Sequence, residues 1–204
     1  MTPTLDRLEL GPWPMNCYLI RCTSTDQLAI VDPGADADKI LSRVADGTVC
    51  CILLTHGHPD HIGALEDVRR VHNAPVGIHL ADAQACGVDG DFPLLDGMQI
   101  MVGKTSVEVA HLPGHTPGSV SFKLYGIALV GDAIFPGGPG HTSSPQALAQ
   151  SIVSLGQTIF AWADDTELFP GHGAPTTVGA ERGGFERFLR GDHPPDLCGD
   201  VAWR

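Results

Sequence analysis

An uninterrupted apolar run, Val49–Leu54, limits the folds that this chain can adopt. Its residues favour β-structure and show no alternation of polar and apolar side chains, which predicts a strand over Val49–Thr55 that is buried on both faces. Apolar residues at helical spacing predict helices on either side of it, over Ala35–Ala45 and Ile62–His72. A buried strand between helices is typical of an α/β protein.

The rest of the chain also mixes strands and helices, and no linker-like segment separates its two halves. This pattern predicts one layered α/β domain with mixed sheets over residues 1–204. A serine N-cap at Ser144 supports the first of two later helices. Predicted strands are Met15–Cys22, Gln27–Asp32, Pro75–His79, Met98–Val102, Thr105–Ala110, Ser119–Leu124, Ile127–Val130 and Glu167–Phe169, and the later helices are Pro145–Phe160 and Thr177–Leu189.

The segment that follows the apolar run reads Thr-His-Gly-His-Pro-Asp-His over Thr55–His61. In an extended exit from a strand, His56 and His58 lie on the same side of the backbone. Pro59 interrupts that regularity, so Asp60 and His61 begin the next helix and face elsewhere. One short loop can therefore serve two adjacent metal positions, and its nitrogen and oxygen donors suit zinc, iron or manganese.

Three later loops each carry one more metal-competent side chain next to Gly or Pro. His115 lies in a Pro- and Gly-rich loop between two predicted strands, Asp132 follows the strand Ile127–Val130, and His172 lies in Phe-Pro-Gly-His-Gly. Ligands in open α/β sheets bind at the carboxyl ends of strands. We therefore expect these side chains to meet His56–His61 in a metal site.

The net charge, the length of the apolar runs and the amino-terminal residues each argue against a class of partner or location. The chain carries 12 Lys and Arg against 24 Asp and Glu, a net charge of −12, whereas nucleic-acid binding needs a basic footprint. Its longest apolar run is far shorter than the roughly 20 residues that span a bilayer. Asp6, Arg7 and Glu9 argue against a secretory leader. We expect a cytoplasmic protein with a small-molecule substrate, no nucleic-acid partner and no membrane partner.

Taken together, these motifs resemble those of the metallo-β-lactamase-fold hydrolases, and within them the glyoxalase II-like, single-domain branch. The matching segments occur in the family's order. The resemblance implies an αββα sandwich, in which two mixed β-sheets are flanked by helices and the site lies at one edge. The segments are Val31–Gly34, Thr55–His61, Gly114–Ser119, Gly131-Asp132 and Phe169–Gly173.

The resemblance also implies which side chains would hold each of two metals. His56, His58 and His115 would hold one metal; Asp60, His61 and His172 would hold a second, and Asp132 would bridge them. Two Zn²⁺ are expected, with iron or manganese as alternatives. Asp60 would also act in catalysis, by orienting the nucleophile or carrying its proton. Asp32 would support the His56–His61 loop, and His141 would support the site or contact the substrate.

This ligand set implies a metal-dependent hydrolase of small thioesters of the hydroxyacyl-thiol type. Water shared by two divalent cations ionises near neutral pH and, as hydroxide, would attack the thioester carbonyl. Three alternatives stay open: a lactone hydrolase, a mononuclear-iron persulfide dioxygenase using His56, His115 and Asp132, and a metal-binding module without enzymatic activity. The sequence leaves the acyl group and the leaving group undefined.

Overall fold

Two six-stranded sheets form the framework of the computed structural model, which describes residues 3–203. The first sheet is built from the amino-terminal half of the chain, and its strands are adjacent in chain order. They are β1 (Thr4–Leu10), β2 (Met15–Arg21), β3 (Gln27–Val31), β4 (Thr48–Leu53), β5 (Val76–Ile78) and β6 (Phe92–Pro93). Strands β1 to β3 pair antiparallel and β3 to β6 pair parallel, so the sheet is mixed.

The second sheet comes from the carboxyl-terminal half and is also mixed. Its six strands are β7 (Gln99–Val102), β8 (Thr105–His111), β9 (Val120–Leu124), β10 (Ile127–Gly131), β13 (Glu167–Pro170) and β14 (Thr176–Thr177). Their spatial order is β14-β13-β10-β9-β8-β7, and only β10 and β13 pair parallel. A short hairpin of β11 (Ile134–Phe135) and β12 (Gly138–Pro139) follows β10.

Helices cover the outer face of each sheet. On the first sheet, Ile40 and Leu65 pack with Ile52, whereas on the second, Leu148 and Phe185 pack with sheet residues in a separate core. The helices are α1 (Ala37–Val44), α2 (Pro59–Ile62), α3 (Leu65–His72), α4 (Leu80–Cys86), α5 (Pro145–Gln157) and α6 (Val178–Arg190), with one 3₁₀ turn at Ile159–Ala161.

A third core lies between the two sheets and joins them face to face. Ile20 and Leu53 from the first sheet meet Val109 and Phe122 from the second. Because successive side chains of β4 point to opposite faces, Leu53 enters this core and Ile52 enters the helix-facing one. This double burial explains the uninterrupted apolar run, and the layers confirm the predicted αββα sandwich of two mixed sheets.

The predicted helices differ from the observed ones at two breaks. The helix expected over Ile62–His72 begins only at Leu65, as α3, and Ile62 is instead the last residue of α2. The Pro33-Gly34 turn packs at the break between them, where the Ala64 amide donates to the Pro33 carbonyl at 2.9 Å. The helix expected over Pro145–Phe160 ends at Gln157, and a 3₁₀ turn replaces its last residues.

Several elements have no counterpart among the predicted ones: strand β1, helix α4 and the two-residue strands β6, β11, β12 and β14. Strand β1 is a polar edge strand in which polar and apolar residues do not alternate regularly. It forms because every one of its residues pairs with β2. Helix α4 lies in a segment for which no element was predicted. Within residues 3–203, no helix has the length and apolar character needed to cross a membrane.

Candidate metal centre

Four loops from the two sheets meet at one edge of the sandwich. His56 follows β4, Asp132 follows β10 and His172 follows β13, while His115 lies in the loop between β8 and β9. Backbone hydrogen bonds join the sheets here, from Val120 to the Thr55 carbonyl at 2.8 Å and from Asn16 to the Gly171 carbonyl at 2.7 Å. The strand ends are thus held close enough to share one site.

Three histidines form the first cluster of donor atoms. His56 Nε2 lies 3.1 Å from His58 Nδ1, and His58 Nδ1 lies 2.9 Å from His115 Nε2. The three rings meet nearly edge to face, so their nitrogens converge on one point. This arrangement of imidazoles suits one divalent metal.

A second cluster, of Asp60, His61 and His172, lies beside the first. His172 Nε2 is 3.1 Å from Asp60 Oδ2, and the donor atoms of this cluster lie within 4.8 Å of one another. Asp132 lies between the two clusters: its carboxylate oxygens are 3.4 Å from His61 Nε2, 3.7 Å from His172 Nε2 and 3.8 Å from His115 Nε2. The structure therefore brings together all seven side chains that the resemblance implied as ligands.

Asp32 fixes the orientation of two buried rings. Its Oδ2 accepts from His61 Nδ1 at 2.9 Å and from the Thr55 hydroxyl at 2.6 Å, while Oδ1 accepts from the Thr55 amide. Because that hydroxyl donates to Asp32, it accepts from His56 Nδ1, 3.1 Å away. Asp32, His56 and His61 also group as donors within 4.8 Å, but these hydrogen bonds already occupy Asp32.

Backbone carbonyls hold two further rings in the same way. His115 Nδ1 donates to the His141 carbonyl and His172 Nδ1 donates to the Pro14 carbonyl, each at 2.8 Å. When these four imidazoles are neutral, the bonds place the proton on Nδ1 and leave the Nε2 lone pair directed at the centre. Metal-binding histidines characteristically have this kind of support.

Burial and charge act on the titratable groups in opposite directions. Burial lowers the pKa values of His56 and His115, which favours their neutral, metal-binding form. Burial also opposes charge on His61, but the carboxylates of Asp32 and Asp132 overcome this effect and raise its pKa to about 10. Burial raises the pKa of Asp132, yet the nearby His61 ring lowers it by more, for a net decrease. These carboxylates favour a positive charge at the centre.

Two observations show that a metal fits these residues. His61 Nε2 and Asp132 Oδ1 are buried, and neither has a hydrogen-bond partner among the described residues. Buried polar atoms are rarely left unsatisfied, so these two indicate that a ligand belongs between them. A Cβ at Gly171 would overlap the Asp132 carboxylate, so glycine keeps this space open. The donor set and its free atoms are those of a site for divalent cations.

The structure reveals one positioning residue that the sequence analysis missed. Asp82, in the first turn of α4, is buried and accepts from the Gly57 amide at 2.9 Å, the Gly118 amide at 2.7 Å and the Thr116 hydroxyl at 2.7 Å. It thereby joins the His56–His58 loop to the His115 loop. The Ala-rich segment Leu80–Cys86, which ends at Gly87, could have indicated this helix.

His141 contacts the site through its backbone rather than its ring. Its carbonyl holds His115, while its exposed ring lies 3.0 Å from the Asp200 carboxylate. The carboxyl-terminal segment secures this loop through paired hydrogen bonds between Thr142 and Gly199. The role expected of the His141 side chain therefore stays a prediction, since the contact with the site is made by its backbone carbonyl.

Comparisons with known proteins agree with this geometry. The profile of the metallo-beta-lactamase superfamily matches residues 10–177. Hydroxyacylglutathione hydrolase GloC of Haemophilus influenzae is 31% identical, and the match covers 87% of this chain and 94% of that protein. The probable metallo-hydrolase YqgX of Bacillus subtilis is 33% identical, and the match covers 86% of this chain and 93% of that protein. The crystal structure of TTHA1623 in a di-iron-bound form is 31% identical, with a TM-score of 0.72 and coverage of 87% and 96%.

Proposed function

The chain belongs to the metallo-beta-lactamase superfamily, and from that premise we propose that it is a dinuclear-metal hydrolase of small thioesters. The observation that carries the proposal is the pair of unsatisfied atoms, His61 Nε2 and Asp132 Oδ1, between two clusters of donors. An intact pair of clusters fits two cations rather than one. The relative named hydroxyacylglutathione hydrolase supports a thioester as the substrate.

In this proposal, the two clusters hold one metal each. His56, His58 and His115 would hold the first and Asp60, His61 and His172 would hold the second, with the Asp132 carboxylate available between the two clusters. When bound, such a pair of divalent cations lowers the pKa of a shared water and polarises a carbonyl oxygen. We propose Zn²⁺ as the native metal, because imidazole and carboxylate ligands suit it; iron is the alternative, given the di-iron form of TTHA1623.

The protein's own residues orient the site and move protons. Asp32 and the carbonyls of Pro14 and His141 keep the rings turned toward the centre, so little reorganisation is needed when the substrate binds. The Asp60 carboxylate is 48% exposed and is the most accessible acid of the site. We assign to it the orientation of the attacking water and the acceptance of its proton.

The reaction is a hydrolysis that needs no further reactant. The oxygen of water bonds to the acyl carbon, the carbon–sulfur bond breaks, and the departing sulfur takes up a proton. The products are a carboxylic acid, ionised at neutral pH, and a thiol. A proton accepted by Asp60 from the water is available for the leaving sulfur, since the substrate must lie beside this exposed carboxylate.

The proposal is tested by metal content and turnover on the same preparation. Protein expressed without metal bias is expected to contain about two divalent cations per chain and to hydrolyse members of an acyl-thioester panel. Asp132→Asn should lower both the metal content and the hydrolysis, because the amide supplies no second negative oxygen between the clusters.

Two results would contradict the proposal. A fully loaded protein that hydrolyses no thioester would exclude the activity, and ring opening of acyl-homoserine lactones in its place would indicate a lactone hydrolase. One iron per chain, with oxygen uptake on a persulfide, would indicate the dioxygenase. Glu181→Gln is the matched control, since this buried carboxylate bonds Gly137 and Thr176 and touches neither cluster.

A further inference from the structure

A cavity of about 460 Å³ opens directly beside the three-histidine cluster. His58 and His115 line it, so the cavity and the candidate metal centre share a wall. Its volume is within the range of about 300 to 1,000 Å³ that is usual for small-molecule sites. A part of the substrate bound in this cavity would lie next to the substrate atoms that react at the metal centre.

The remaining walls are mostly apolar. Helix α2 contributes Pro59 and Ile62, helix α4 contributes Ala85 and Cys86, and Pro117 closes the side formed by the His115 loop. These side chains come from three separate segments of the chain. An alkyl group placed among them would leave water for an apolar surface, which is favourable.

The two buried polar side chains that line the cavity, Asp82 and Thr116, are already hydrogen-bonded, whereas Ser143 is an exposed residue of the lining. The Asp82 carboxylate is occupied by two backbone amides and by the Thr116 hydroxyl, which is also within hydrogen-bond distance of Ser119. A polar substrate group would have to compete with these bonds. The buried floor of the cavity therefore offers little to a substrate that needs hydrogen bonds.

The described lining residues include neither Lys nor Arg. An anionic substrate group would lose its hydration there and gain no counter-ion. A cation does approach the other cluster, where the Arg7 guanidinium donates to the Gly173 carbonyl, next to His172. A cation thus lies near the His172 side of the centre, whereas the described lining of the cavity contains no Lys or Arg.

We propose that this cavity binds the acyl chain of the substrate and selects an uncharged, apolar acyl group over an anionic one. The inference rests on the proposed thioester hydrolysis and names the substrate class within it. The acyl carbonyl lies at the centre, its alkyl chain extends between α2 and α4, and the leaving thiol lies on the side of His172 and Arg7.

Two thioesters of matched length test the selectivity. Hexanoyl and adipoyl thioesters of one neutral thiol, N-acetylcysteamine, differ only in the terminal carboxylate of the acyl chain. The metal-loaded protein is expected to have a kcat/KM at least tenfold higher for hexanoyl. Binding of two non-hydrolysable thioethers with the same two chains is measured by calorimetry, so that selectivity is read without turnover.

Three substitutions on helix α4 test whether the selectivity arises in this cavity. Ala85→Arg places a cation at the exposed rim of the cavity and is expected to reverse the preference or reduce it at least tenfold. Ala85→Gln adds a long uncharged side chain at the same position and controls for bulk. Gln84→Arg adds the same charge at the exposed neighbouring position, outside the cavity lining, and should leave the ratio of the two substrates unchanged.

The outcomes separate this inference from the proposed function. Equal kcat/KM for the two thioesters, or equal effects of Ala85→Arg and Gln84→Arg, would overturn the inference while hydrolysis itself supports the function. If no thioester is hydrolysed, the proposed function fails and calorimetry alone decides: tighter binding of the apolar thioether supports an apolar site, whereas equal binding refutes it.

Discussion

Asp82 bonds to both loops that carry the three-histidine cluster, and its two oxygens accept three hydrogen bonds from them. Gly118 shows how close this packing is, since a Cβ there would lie 2.5 Å from Asp82 Oδ1. Gly57 is similarly confined, with the Cys86 sulfur 2.7 Å from where its Cβ would be. Glycines adjacent to the histidines therefore permit helix α4 to hold both loops.

Asp82→Asn is expected to weaken metal binding at the three-histidine cluster. An amide cannot accept all three hydrogen bonds, and its own donor would face an N–H or hydroxyl, at a cost of about 1–3 kcal/mol. Loss of such support commonly lowers metal affinity roughly 10- to 100-fold. Metal affinity is measured by competition with a chromogenic chelator.

The control for this prediction is Glu181→Gln, which removes another buried carboxylate that holds a backbone amide. It should lower the free energy of unfolding without changing metal affinity. If Asp82→Asn affects only unfolding, as this control does, then Asp82 stabilises the fold generally and has no specific effect on the loops.

Among the elements of the fold, the carboxyl-terminal segment supports the loop that contains His141, and the carbonyl of His141 in turn orients the His115 ring. Trp203 is buried against Phe185 and Phe188, with ring centroids 5.6 and 5.5 Å away, and its amide donates to the Gly137 carbonyl. The hydrogen bonds of Thr142 with Gly199 lie beside His141, whose carbonyl orients the His115 ring.

Trp203→Ala is expected to reduce the free energy of unfolding by about 3–5 kcal/mol, because it leaves a cavity in the core between α5 and α6. Chemical denaturation monitored by circular dichroism measures the change. Trp13→Ala is the matched control: this side chain is 82% exposed, so its loss should change the unfolding free energy by no more than about 0.5 kcal/mol. Equal losses would show that Trp203 contributes no core packing.

Elements with a strong periodic signal were predictable, whereas those shaped by neighbours were not. The run at β4 and the helical spacing in α5 each follow from side chains that face a core. The break between α2 and α3 instead depends on a distant turn, Pro33-Gly34, which no local pattern records. The polar strand β1 is likewise defined by its pairing with β2.

For the whole molecule, the motif order was sufficient to predict the family and the αββα sandwich, and both are confirmed. The site could be anticipated because its donors are rare side chains next to Gly and Pro. Apart from Asp32, its supports could not, since Asp82 and the carbonyls of Pro14 and His141 act through backbone contacts made only in the folded chain. The ligand roles and the single-domain assignment stay predictions.

Metal removal is expected to destabilise the whole chain, because the seven proposed ligands come from both sheets. Binding that favours the folded state contributes about 2.7 kcal/mol per site at a free metal concentration 100 times Kd. For a chain of this size, one site corresponds to a fall of roughly 5–10 °C in Tm on chelation. Differential scanning calorimetry with and without chelator measures it.

Asp132→Asn provides the comparison for this experiment. If the fall in Tm comes from loss of metal at the candidate centre, chelator should lower the Tm of this variant much less than that of the unsubstituted protein. A chelator effect of the same size in both would mean that the stabilising ions bind elsewhere.

The meeting of the sheets at the site has a consequence for the order of folding. His56 and His172 are 116 positions apart, and neither half of the chain supplies a complete set of donors. Long-range closure of this kind is slow compared with local helix formation. Tight metal capture must therefore come late, after the halves have docked, so a nascent chain with only its first sheet would release an ion that the finished protein retains.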